Sequence, residues 1–402
     1  MHIKISVPGS KSISNRVLLL KALSKKDIKI ENIVDCQDTK EMLKNLKILE
    51  KKSPDQIKIN TGDAGTATRF LTAYCAIVNK NIILDGSKRM RLRPIKPLTE
   101  ALKTLGANIS DTSDFLPLNF NPSVLCGSTI NIDGSISSQF LSALLMICPF
   151  IEGKTEIIIK NKLCSIPYIK MTIKLMEQFG LKISNENFEK FTINGNQSPT
   201  PPKNFKIEAD ASSASYIGAY SALNPGMNVL LKNINSSSIQ GDIVFLKILE
   251  KMGCEISKNN EGTTITGPKK LKSLGEIDMN SSPDLVMTFA ILSIFTEGTT
   301  KIKNISNLRI KECDRLEALE TELKKIGIKV ETGKDWIAIQ GNPKLKIPHQ
   351  VKIKTYSDHR IAMCFGLLTC HFPNIKILSP ECVNKSYPSF WEDLNKLKAN
   401  AK

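Results

Sequence analysis

Aromatic side chains make up only 6% of this chain, and no polybasic run carries aromatics between its charges. A base-stacking, single-strand nucleic-acid platform is therefore disfavoured. The N-terminus, MHIKISVPGSK, has no apolar signal core, and no hydrophobic run reaches the ~18 residues a membrane span needs. The ten cysteines stand singly, without a CxxC pair, and several lie in apolar runs such as YCAIV and MCFGLL. Structural zinc and a disulfide scaffold are excluded on that spacing, and a reducing, cytosolic setting is expected. A nucleotide P-loop is also missing. In SVPGSKSISNR a lone Gly9 precedes Lys11 and Ser12, where that motif needs two glycines at fixed spacing.

What is present is an ordinary folded composition, 41% hydrophobic and 24% charged over 402 residues, long enough for about two domains. The formal net charge is +17, from 56 Lys+Arg against 39 Asp+Glu. Much of that excess belongs to solvated faces, but it also favours anionic partners.

Six times a short polar cluster runs straight into a strongly apolar helical stretch. The clusters are SKSISNR, DAGTATR, SISSQ, ADASSAS, NSSPD and YSDHR, and after a shorter first interval they recur roughly every 70 to 75 residues. A second series of amphipathic helices stops at Gly106, Gly180, Gly253 and Gly327. Each unit reads as a helix buried on all sides, a strand, a one-faced helix, then strands. The break between two sets of three falls near Phe205 to Ser213. The first turn of a helix offers unpaired N–H groups and the positive end of its dipole, so polar helix starts suit anions. Serine, threonine and aspartate there are also ordinary N-caps. What adds weight is the cargo: Lys11, Arg16, Arg69, Arg93, Lys311, Arg315, Arg360 and Lys385 all lie in or beside these clusters.

Taken together, PGSKSISNR, DAGTATR, RLRPI, DGSISSQF, EADASSASY, RIKECDRL, YSDHR and VNKSYP resemble the 5-enolpyruvylshikimate-3-phosphate synthase family, in order from Val7 to about Pro388. The resemblance implies a two-domain, inside-out α/β barrel of six βαβαββ repeats, with buried helices and outer mixed sheets. It implies one domain over 11–208 on the shikimate-phosphate side. The other, 1–10 plus 209–402, carries the acid–base groups, with the active site in the cleft between them. The implied reaction moves the carboxyvinyl group of phosphoenolpyruvate to the 5-hydroxyl of shikimate 3-phosphate, through a tetrahedral intermediate and without cofactor or metal. The resemblance implies a cytosolic monomer acting on small molecules, not on nucleic acid or membrane.

Residue by residue, Ser12, Arg16, Ser137, Ser138, Gln139, Ser165, Tyr168, Asn307 and Lys311 match shikimate-phosphate contacts. Gly65, Arg93, Gln139, Arg315, Arg360 and Lys385 match positions around phosphoenolpyruvate, and Lys11 lies between both substrates. Asp284 matches the base, also touching shikimate 3-phosphate, and Glu312 with Lys385 the relay that delivers a proton to C3.

The chain departs from the family at three places. Asp63 stands where asparagine is common, Phe70 where proline often follows the arginine, and NSSPD lacks a histidine found in some members. His2, His349 and His371 read as structural or surface residues, and His359, in SDHR, reads equally as a helix-start residue that caps or orients a neighbour and as a proton-transfer group. A related enolpyruvyl transferase acting on UDP-N-acetylglucosamine uses a cysteine before an Arg-Pro, and DGSKRMRLRPI has none. An RNA-end-processing enzyme of related repeat fold is the other alternative, resting on charge alone.

Overall fold

The computed structural model describes residues 2–51, 56–110, 114–235 and 237–400, with His2 described by its backbone alone. The chain divides into two units, 11–207 and 1–10 joined to 208–402. Among the described residues no helix is long and apolar enough to cross a membrane.

The unit 11–207 carries α1 (Lys11–Ser24), α2 (Gln37–Glu50), α3 (Gly65–Ile77), α4 (Lys96–Thr104), α5 (Ser138–Ile147) and α6 (Ile166–Gln178). Its strands form two four-stranded sheets and a two-stranded one. In the first, Ile57–Asn60 pairs in parallel with Ile82–Asp85, which pairs antiparallel with Leu118–Asn121 and so with Asn108–Ile109. The second repeats that order through Thr129–Asp133, Lys154–Lys160, Lys190–Asn194 and Ser184–Glu186. The two-stranded sheet pairs Lys29–Glu31 with Asn204–Lys206.

The other unit carries α7 (Ala211–Leu223), α8 (Phe245–Lys251), α9 (Val286–Ile294), α10 (Arg315–Lys325), α11 (His359–Leu368) and α12 (Phe390–Ala399). Its sheets follow the same rule, with His2–Ile5 parallel to Asn228–Leu231 in the first. The last repeat keeps only the parallel pair Val351–Ile353 and Ile375–Ile377. Six repeats are thus realised, two of them without the closing hairpin among the described residues.

Side-chain pattern explains the layering. Every residue of α7, α9 and α11 is buried, and these three helices touch one another. Most of α1, α3 and α5 is likewise buried, and these helices are mutually packed. Their Ala, Ser, Thr and Gly content lets backbones approach: a Cβ on Gly218 of α7 would meet Ile265 and Leu249 at 2.9 Å. Outer helices bury one stripe; α4 buries Leu98, Thr99, Ala101 and Leu102 and leaves Lys103 out. The stop glycines 106, 180, 253 and 327 all have positive φ, between 74° and 105°, a region closed to most L-residues. Within each unit the buried helices therefore deliver their polar N-termini as a group.

Candidate active site

In the unit 11–207 the starts of α1, α3, α5 and α6 bring together most residues assigned to shikimate phosphate. Ser137 is the N-cap of α5, its Oγ accepting from Gln139 N at 3.3 Å. Gln139 Nε2 reaches across to Thr66 Oγ1 at 3.1 Å, tying the start of α5 to that of α3. Ser138 is buried beside it. Ser165 precedes α6 with φ of 54°, a left-handed serine held at the very position where α6 begins, and Tyr168 lies half-buried one turn on. Ser12 stands on the first turn of α1.

Arg16 is buried deeper than a ligand arm alone would require. Its Nε donates to Thr172 Oγ1 at 2.7 Å, one Nη to Ser12 O at 2.9 Å, and the other to Ser142 Oγ and Tyr168 O at 3.3 and 3.4 Å. Burial lowers its pKa to about 10, so it stays charged at neutral pH. Phe70 lies under the guanidinium, 5.3 Å from its ring centre, so the phenylalanine that departs from the family pattern serves as the floor beneath Arg16.

Arg93 ends the short helical turn Met90–Leu92 and is buried, its guanidinium lying directly over Gly65. A Cβ at Gly65 would stand 2.5 Å from Arg93 Nη1. Arg69, counted with the cations above, braces this segment: it donates to Pro94 O at 2.9 Å and meets Met90 Sδ at 3.0 Å. Asp63 is exposed and accepts a short hydrogen bond from Ser87 Oγ, joining the turn before α3 to the start of the arginine segment. Lys11 forms an ion pair of 3.1 Å with Asp38, a buried carboxylate on the first turn of α2. Asp38 was not legible as a partner from sequence, since it stands outside the six clusters.

The other unit brings together the residues expected as the acid–base set. Asp284, in the turn Pro283–Leu285, accepts from Arg360 Nη2 at 2.7 Å and from Arg315 Nη1 at 3.1 Å. Glu312 accepts from Arg315 Nη2 at 2.9 Å and has Lys385 Nζ 4.0 Å away. Asp358 is the N-cap of α11, accepting from Arg360 N at 2.8 Å, and it also takes Arg315 Nε at 2.7 Å. Burial alone lowers the Arg315 pKa, yet Asp358, Glu312 and Asp284 push it the other way, above its ordinary value. Lys385 closes the turn Pro380–Lys385 and is buried.

Asn307 is buried, and its Oδ1 has no hydrogen-bond partner among the described residues. Lys311 follows it, half-buried. Asp358 and Asp242 are the carboxylates that sequence reasoning missed here. The first was visible in YSDHR as a cap, but not its grip on Arg315. Asp242 is buried, accepts from Ser212 Oγ, and is pushed up to about 6, first by burial and then by the charge of Asp284.

Among the histidines, His359 is buried at the start of α11 with Nδ1 3.6 Å from Asp358 Oδ1. His371 lies against the stacked pair Phe295 and Phe372, where burial lowers its pKa, and His349 is exposed. The side chain of His2 lies outside the described residues.

The EPSP synthase (3-phosphoshikimate 1-carboxyvinyltransferase) family matches residues 1–394 of the chain. The chain belongs to that family. It is 46% identical to a 3-phosphoshikimate 1-carboxyvinyltransferase of Buchnera aphidicola subsp. Cinara cedri, across 97% of this chain and 93% of that protein. A protein of the same description from Actinobacillus pleuropneumoniae is 41% identical, across 98% and 96%. The solved EPSP synthase of Acinetobacter baumannii shares the fold, with a TM-score of 0.75 at 23% identity over 98% of this chain and 95% of that one. The two-domain α/β fold expected from the family is therefore the fold of this chain. Cys313, beside Glu312, does not offer this member a thiolate: burial, and then Asp358, raise its pKa.

Proposed function

We propose that this chain transfers the carboxyvinyl group of phosphoenolpyruvate to the 5-hydroxyl of shikimate 3-phosphate and releases phosphate, in the shikimate pathway. The observation that carries the reading is Asp284 held by two buried arginines, Arg315 and Arg360, with Glu312 and Lys385 alongside. A carboxylate so held is a weak base. An anionic donor that takes over the same arginines loosens their hold on Asp284 and frees its oxygens to accept the hydroxyl proton. The base then becomes competent only in the ternary complex.

In that reading the Ser137, Ser138 and Ser165 hydroxyls with Lys311 hold the phosphate of the acceptor. Arg16 with Ser12 and Tyr168 holds its ring and carboxylate. Asp284 takes the proton of the 5-hydroxyl as its oxygen bonds to C2, and Lys385 with Glu312 supplies a proton to C3. The C2–O(phosphate) bond then breaks, phosphate leaves and the double bond re-forms as C3 returns a proton. Lys11, Arg93, Arg315 and Arg360 stabilise the charge on the tetrahedral intermediate without covalent chemistry. None of the ten cysteines is in a disulfide, in keeping with work in the cytosol.

The deciding experiment measures phosphate release from phosphoenolpyruvate with shikimate 3-phosphate and, separately, with UDP-N-acetylglucosamine. Turnover with the first acceptor alone is expected. Turnover with the second, or with neither, would overturn the reading.

A further inference from the structure

Helix α10 does two things on one face. Its first residue, Arg315, grips Asp284, Glu312 and Asp358, and seven residues on, two turns along the same face, stands Glu322. Glu322 has no exposed surface, and an unpaired carboxylate so placed would be costly. It is fully engaged. Lys325 Nζ lies 2.8 and 2.6 Å from its two oxygens, the hydroxyl of Tyr356 donates at 2.7 Å, and the backbone N–H of Lys354 donates at 3.1 Å.

Both of the last two contacts fall in the short connection between Val351–Ile353 and α11. In it Tyr356 and Ser357 both have φ of 55°, two successive left-handed residues without a glycine. Such a turn is strained and persists only where its surroundings over-determine it. Lys354 also lies over the Tyr356 ring, 5.0 Å from its centre, and Asp358 N closes on Thr355 O at 2.8 Å. The turn ends at Asp358 and Arg360, the two residues that lock Arg315 and Asp284.

We propose that Glu322 is a positioning residue for the enolpyruvyl donor, clamping the strained Lys354–Ser357 turn so that Asp358 and Arg360 meet Arg315 in one geometry. Helix α10 thus sets both arginines, one by carrying it and one through the clamp. The inference rests on the donor site proposed above. Burial, and then Glu322 itself, keep the Tyr356 phenol protonated, so the clamp holds throughout the working pH range.

The test compares Tyr356→Phe, which deletes one bond and leaves the Lys325 pair intact, with Glu322→Gln in the full chain. Tyr356→Phe is expected to raise the KM for phosphoenolpyruvate about 3- to 10-fold and Glu322→Gln more, with the KM for shikimate 3-phosphate within 2-fold of wild type. Amide hydrogen exchange over residues 354–360 should quicken in Tyr356→Phe. If both KM values stay put while only the melting temperature or active fraction falls, Glu322 is structural and the proposal is overturned. Equal rises in both KM values overturn it too. A wild-type chain that releases no phosphate would sink the function itself, an outcome distinct from a failed clamp.

Discussion

Replacing Gly65 by alanine isolates the contact between α3 and Arg93. The added Cβ would sit 2.5 Å from Arg93 Nη1, 3.0 Å from its Cζ and 3.1 Å from its other Nη. Non-bonded carbon contacts lie near 3.5–4 Å, so the guanidinium must withdraw by roughly 1 Å. Only the tip of one flexible side chain has to yield, and the backbone of α3 does not. Gly65 is the first residue of α3, so alanine gains up to about 1 kcal/mol of helix propensity. The melting temperature should therefore stay within about 3 °C of wild type or rise slightly. Binding geometry is less forgiving, because a displacement of about 1 Å can cost up to ~100-fold in rate. Initial rates of phosphate release, with each substrate varied in turn, should show the phosphoenolpyruvate KM up by roughly 10- to 100-fold, about 1.4–2.7 kcal/mol. The shikimate 3-phosphate KM should change less than 2-fold. An unaltered phosphoenolpyruvate KM would refute the placing of Arg93 at the donor, and a loss of more than 10 °C would refute the claim that only its tip moves.

Asp284→Ala should lower kcat by at least ~100-fold, the scale of one positioned base, while calorimetry finds shikimate 3-phosphate still bound; near-normal turnover would remove Asp284 from the role. Arg69→Ala strips the brace from Met90 and Pro94, and is expected to cost about 2–4 kcal/mol in urea unfolding together with a higher phosphoenolpyruvate KM. A stability loss without a KM change would make Arg69 a core residue only. Asp242 has its proton affinity raised in the folded chain, so folding binds a proton between about pH 4 and 6. Its ionisation then opposes folding as pH rises through that window. Asp242→Asn should accordingly flatten the fall in stability from pH 4 to 7, by an amount on the order of 2–3 kcal/mol; identical pH profiles for the two proteins would contradict this.

Periodicity made the layers legible in the bare chain. The apolar runs of α3, α7, α9 and α11 could only be buried on all sides, and the stop glycines marked the outer helices. The polar helix starts were equally visible, because caps and anion sites share residue types. What periodicity could not convey was which cations were already committed. Arg69 and Arg16 look alike in DAGTATR and SKSISNR, yet the first braces a loop through Pro94 O and the second is sunk among Thr172, Ser142 and Tyr168. Asp38, Asp242 and Asp358 were hidden for the same reason: each acts on a residue distant in sequence, and a single aspartate carries no periodic signal. Phe70 in place of proline became intelligible only once Arg16 was seen above it.

The strand His2–Ile5 has a place in time as well as in space. It is made well before its partner: Asn228–Leu231 leaves the ribosome more than two hundred residues later. At 5–20 residues per second that is a wait on the order of ten to forty-five seconds. Meanwhile the whole of 11–207 becomes available and can collapse on its own helices. His2–Ile5 must remain unpaired through that interval, tethered to a finished neighbour. A substitution that weakens this parallel pairing would therefore burden the last step of maturation and leave the earlier one untouched.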